Sequence, residues 1–137
     1  MVTLYFDGSV WPSSPEGIAV SGFVITQGQR LLESFSGIIG QGIVTSLQAE
    51  YRAVAEGLRA VSARWTRPNE SLTVHGDSKN VIYQLSGTHA DPKFPQEYFV
   101  AKAYVSQIRD TGMTVTFEWL PREKNLADEV CKRFRKV

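Results

Sequence analysis

Residues 45 to 64, TSLQAEYRAVAEGLRAVSAR, constrain the fold of this chain more than any other stretch. Leu47, Tyr51, Val54, Leu58 and Val61 recur at spacings of three and four, the apolar stripe of an amphipathic helix, and Thr45 with Gln48 has the form of a capping box. Strand-like segments lie on both sides of it. VTLYF at 2 to 6, GIAVSGFVIT at 17 to 26 and RLLESFSG at 30 to 37 come before, separated by turns that contain Pro12, Pro15 and Gly28. The short TQGQ link between the second and third predicts an antiparallel meander. SLTVHGD at 71 to 77 follows the helix, so a crossover must set this strand parallel to an earlier one.

The rest of the chain continues the alternation. A short helix is predicted from Ser78 to Leu85, then a loop, THADPKFP, then a helix over 96 to 109 carrying Phe99, Val100, Ala103, Tyr104 and Ile108 at helical spacing. MTVTFEWL at 113 to 120 alternates as a strand, and a last helix runs from about Lys124 to Lys136. The expectation is a mixed α/β sheet with crossover helices in one domain, since 137 residues suffice for one core and no repeat or linker interrupts them.

The only cysteine, Cys131, has no intramolecular disulfide partner, and no leader or membrane span is legible, so a cytoplasmic protein is expected. Fifteen basic against 14 acidic residues leave a formal charge of +1. Any nucleic-acid binding must then come from local patches, of which the C-terminal CKRFRKV is the most basic, although cations there also suit the end of a helix.

Two acids share one context. Asp7 is read as ending the first strand, with Gly8 and Ser9 forming a turn after it, and Asp77 ends the fourth strand with Ser78 next. Parallel neighbours would bring both carboxylates to the carboxyl edge of the sheet, where open α/β sheets place ligands. At about 100 degrees per residue, Glu50 falls roughly 40 degrees from Val54 and about 20 from Val61, at the margin of the apolar stripe, whereas Glu56 points to solvent. Three converging acids repel one another unless a cation is present. Oxygen-only ligands favour Mg²⁺ or Mn²⁺, and Mg²⁺ shared with phosphate oxygens implies a phosphate-ester substrate.

Four stretches together resemble the type 1 ribonucleases H: YFDGS, TSLQAEYRAV, VHGDS and PREKNLADEV. They occur in that family's order and spacing and cover essentially the whole chain. The resemblance implies an RNase H-like α/β fold, a five-stranded mixed sheet of order 3-2-1-4-5 with strand 2 antiparallel and helices on both faces. It implies Asp7, Glu50, Asp77 and Asp128 as metal ligands and catalytic residues. Asp128 enters by resemblance alone, because it lies at the flank of the stripe made by Leu126, Val130, Cys131 and Phe134, where a solvated acid near a helix start is the plainer reading. The implied reaction is two-metal hydrolysis of the RNA strand of an RNA/DNA hybrid, leaving 5′-phosphate and 3′-hydroxyl ends. Gly8, Ser9, Thr45, Ser46, Ser78 and Lys79 are the implied substrate contacts, with Gly8 allowing close backbone approach.

The departures define a compact form. LPREKN contains none of the histidine common before the last aspartate, which makes Arg122 the candidate for its part in product release. Leu47 and Lys79 replace residues that contact the hybrid in many relatives, and SGTHADPKFP at 86 to 95 replaces the basic protrusion. Weak binding of modest salt dependence is therefore expected from a monomer. His75 is read as a hydrogen-bonded strand residue, His89 as solvated, and Trp11, Trp65 and Trp119 as core or rim residues, with Trp11 the best placed to stack on a base if any does. Two other functions remain open at this level: a non-catalytic or altered-specificity nucleic-acid-binding module, and a phosphoacceptor domain using Asp7 and Asp77.

Overall fold

The computed structural model describes residues 1–11, 17–41, 45–87 and 93–132. Strands β1 (Val2–Trp11), β2 (Ile18–Gln27) and β3 (Arg30–Gln41) are followed by helix α1 (Ser46–Ala60) and a π-helical turn, Val61–Trp65. Then come β4 (Ser71–Gly76), α2 (Lys79–Leu85), α3 (Pro95–Asp110), β5 (Thr114–Trp119), a 3₁₀ turn (Arg122–Lys124) and α4 (Leu126–Lys132). The strands form one sheet in the order β3-β2-β1-β4-β5. β2 is antiparallel to β1 and β3, while β1, β4 and β5 are parallel. This is the α/β sheet order implied by the resemblance to the type 1 ribonucleases H.

Helix α1 starts where its capping box places it. Thr45 Oγ1 accepts from the Gln48 amide at 3.1 Å and Gln48 Oε1 accepts from the Thr45 amide at 3.1 Å. Tyr51, Val54, Leu58 and Val61 are fully buried, and Leu47 packs beside them. The stretch expected as one long helix changes pitch after Ala60, and the wider turn carries Arg64 and Trp65, both of which donate to Glu33 on β3.

Two glycines show how the helices divide between the faces of the sheet. A Cβ on Gly8 would meet the Ala49 carbonyl and lie 2.6 Å from the Glu50 amide nitrogen, so α1 presses on that face of β1. Gly22 pairs with Asp7, the adjacent residue of opposite orientation, and a Cβ there would lie 2.6 Å from Cys131 Sγ, so α4 covers the other face. The larger core lies on the α1 side, with α3 contributing Ala101, Val105 and Ile108.

Three sequence expectations need correction. Asp7-Gly8-Ser9 is no turn: β1 runs on to Trp11, because Asp7, Gly8 and Ser9 pair with Gly22, Ser21 and Val20 of β2. The α3 stripe is rotated: Ile108 is buried as expected, but Phe99 and Val100 are 64% and 49% exposed, and Ala101 and Val105 dock in their place. In α4 the buried face is Ala127, Asp128 and Cys131 while Leu126 is exposed, so Asp128 points inward rather than to solvent.

Candidate metal centre

The site forms where the first strand parts from its parallel neighbour. β1 and β4 pair from Val2 with Leu72 to Tyr5 with His75, and beyond that point β1 continues only along β2. Asp7 stands just past the parting, and Asp77 follows the last residue of β4. Glu50, in the second turn of α1, reaches them across the contact that Gly8 permits. One carboxylate oxygen from each of Asp7, Glu50 and Asp77 lies within 4.8 Å of the other two.

The environment makes Glu50 costly to keep charged. Asp7 and Glu50 are buried and Asp77 is half-buried. Glu50 Oε1 accepts from the Gly8 amide at 2.9 Å, but its buried Oε2 has no hydrogen-bond partner. Burial first, and the Asp7 carboxylate second, push the Glu50 carboxyl well above its ordinary range, against the opposing pull of the Gly8 amide. An orphaned buried oxygen within a set of hard oxygen donors fits a divalent cation such as Mg²⁺ or Mn²⁺.

Asp128 lies outside that cluster. It is 3% exposed on α4, and Lys132 Nζ lies 3.6 Å from its Oδ2.

Known proteins bear on this geometry. The chain is similar to the N-terminal RNase H domain of a Mycobacterium tuberculosis protein, solved as a fusion with maltose-binding protein. The two share 30% identity over 96% of this chain and 91% of that one, with a TM-score of 0.79. Residues 5–134 match the family model described as reverse transcriptase-like. The chain belongs to that family and is RNase HI-like. LC11-RNase H1, solved with an RNA/DNA hybrid, is 25% identical with a TM-score of 0.77, over 97% of this chain and 95% of that one. RNase H1 of Halobacterium salinarum, 24% identical over 96% and 95% with a TM-score of 0.74, shares the fold.

The remaining residues singled out in this RNase HI-like chain divide into two kinds. Gly8 is buried against α1, where a Cβ would meet the Ala49 carbonyl, so the helix contact itself requires a residue without a side chain. Thr45 and Ser78 cap α1 and α2, with Ser78 Oγ accepting from the Val81 amide at 3.4 Å. Ser9 is half-buried, whereas Ser46, Lys79 and Arg122 are exposed. His75 stacks on Tyr5 at 5.3 Å, and its buried Nδ1 lacks a partner, contrary to the hydrogen-bonded reading. His89, Arg133, Phe134, Arg135 and Lys136 lie outside the described residues.

Trp119 is tied to the site. Its indole donates to the Asp77 carbonyl at 3.1 Å, and Lys79 Nζ stands 4.9 Å from its ring centre. Asn125 is a second residue that sequence reasoning passed over. It is buried and donates to Asp77 Oδ2 at 3.2 Å. The available signal was the preference for Asn immediately before a helix, hidden because the last helix was begun at Lys124.

Proposed function

We propose that this RNase HI-like chain is a metal-dependent endonuclease that hydrolyses the RNA strand of RNA/DNA hybrids. The observation that carries this reading is the convergence of Asp7, Glu50 and Asp77 around an unpartnered, buried Glu50 oxygen. A module that only bound nucleic acid would gain nothing from acids that repel phosphate. The likeness to LC11-RNase H1, itself solved with a hybrid, supports the substrate class.

Asp7, Glu50 and Asp77 would hold divalent ions, Mg²⁺ or Mn²⁺, with Asp128 completing the acidic set. Two such ions would supply an activated water and stabilise the leaving 3′ oxygen, so the products would carry 5′-phosphate and 3′-hydroxyl ends. The protein's own part is preorganisation. The Gly8 amide fixes one Glu50 oxygen and leaves the other for a cation. Lys79, held over the Trp119 ring, faces solvent where it would neutralise a backbone phosphate. Thr45 and Ser78 spend their hydroxyls on helix caps, and so act on substrate by fixing the adjacent Ser46 and Lys79. Ser9 and Ser46 are the groups proposed to read sugar hydroxyls, and Arg122 the cation proposed to help product leave.

No helix among the described residues is long and apolar enough to cross a membrane. The single, buried cysteine fits the reducing cytoplasm proposed for this protein.

The test is a panel of labelled substrates: RNA/DNA hybrid, duplex RNA and single-stranded RNA, each with Mg²⁺ or Mn²⁺, beside Asp7→Asn. Cleavage confined to the RNA of the hybrid and lost in Asp7→Asn is the expected result. Equal cleavage of duplex RNA would remove the hybrid preference, and no cleavage of any substrate would overturn the reading.

A further inference from the structure

Asn125 lies in the connection before α4 and is 2% exposed. Its Nδ2 donates to the Phe6 carbonyl at 2.9 Å and to Asp77 Oδ2 at 3.2 Å, while its Oδ1 accepts from the Ala127 amide at 3.1 Å. Both amide hydrogens and the carbonyl oxygen are thereby engaged. The three partners have one thing in common. Phe6 precedes Asp7, Ala127 precedes Asp128, and the third is Asp77 itself.

A neutral amide suits the place chemically. A lysine or arginine would neutralise Asp77 and compete with a cation, whereas another carboxylate would add to the repulsion. We propose that Asn125 is a positioning residue that fixes Asp77, and the chain beside Asp7 and Asp128, at the spacing a divalent cation requires. This rests on the metal-binding reading above. Partners that orient metal ligands typically govern affinity by about 10–100-fold.

Mn²⁺ binding, followed by the electron paramagnetic resonance of the free ion, tests it on wild type, Asn125→Ser, Asn125→Ala and Asp7→Asn. Thermal midpoints are measured on the same metal-free proteins. Serine preserves a neutral cap for the Ala127 amide but is too short to reach Phe6 and Asp77 together. The expected result is a Kd raised by about 10–100-fold in both Asn125 variants, with Asn125→Ser keeping most of the thermal midpoint that Asn125→Ala loses. If Asn125→Ala does not fold, Asn125→Ser alone decides. Mn²⁺ affinity in Asn125→Ser indistinguishable from wild type would overturn the positioning role alone. Absence of saturable Mn²⁺ uptake by wild type would overturn the metal-site reading and this inference with it.

Discussion

Two glutamates on neighbouring elements have opposite surroundings. Glu33, on β3, accepts from Arg64 at 2.8 and 2.7 Å and from the Trp65 indole at 2.8 Å. The Arg64 hydrogen bonds hold its carboxyl below the usual range. Glu50, on α1, has one backbone donor, a second oxygen with no partner, and a carboxyl pushed up by burial and by Asp7. Glu33 has the neighbours of an acid that stabilises a fold. Glu50 has those of an acid awaiting a cation, and the difference lies in partners rather than in exposure alone.

The largest expected effect separates the acidic cluster from every other carboxylate. Asp7→Asn and Asp77→Asn are each expected to slow hybrid hydrolysis by about 10³-fold, since several kcal/mol of charge stabilisation would go with the ions. Single-turnover cleavage at saturating hybrid measures this.

Gly8→Ala comes next. The added methyl collides with the Ala49 carbonyl, so a loss of about 3 kcal/mol of stability is expected in urea unfolding, together with weakened metal binding as Glu50 loses its anchor.

Cations provide the third. Mn²⁺ at about 100 times its Kd is expected to stabilise wild type by roughly 2.7 kcal/mol and Glu50→Gln by much less, read from thermal midpoints with and without the ion.

The fourth prediction turns on sign. The folded-state pKa of Glu50 is raised, so its contribution is fully present below its ordinary value of 4.5 and is lost as pH rises through the raised value. Metal-free wild type should therefore lose stability relative to Glu50→Gln as pH rises. For Glu33 the pKa is lowered, so its contribution is present above 4.5 and lost as pH falls through the folded value. Relative to Glu33→Gln, wild type should lose stability on acidification. Urea midpoints across pH for the two pairs should slope in opposite directions.

The smallest effect belongs to Arg64→Gln. It removes one side of an exposed ion pair, so a slight fall in thermal midpoint with unchanged cleavage is expected.

Much of this arrangement was legible in the sequence because local periodicity carries it. The helix wheel placed Glu50 at the margin of the apolar stripe, and the capping box located the start of α1. The crossover argument set β4 parallel to an earlier strand, which is β1. What escaped was long-range. Asp-Gly-Ser carries turn propensity on its own, but pairing with Gly22, Ser21 and Val20 keeps it in β1. The packing of Gly8 against α1 was not legible either, because Glu50, whose carboxylate its amide holds, lies 42 residues further along the chain. The burial of Asp128 comes from the docking of α4 on the sheet, which no stripe of Leu126 and Val130 announced. Asn125 carried a helix-cap signal, but its bonds to Phe6 and Asp77 were not legible because those partners are remote in sequence.

The decisive measurement compares cleavage of a labelled RNA/DNA hybrid in Mg²⁺ by wild type, Glu33→Gln and Glu50→Gln, all confirmed folded by circular dichroism. Wild type and Glu33→Gln should cut the RNA strand at similar rates while Glu50→Gln leaves it intact. Undiminished cleavage by Glu50→Gln would contradict the assignment of the unpartnered glutamate to the metal centre.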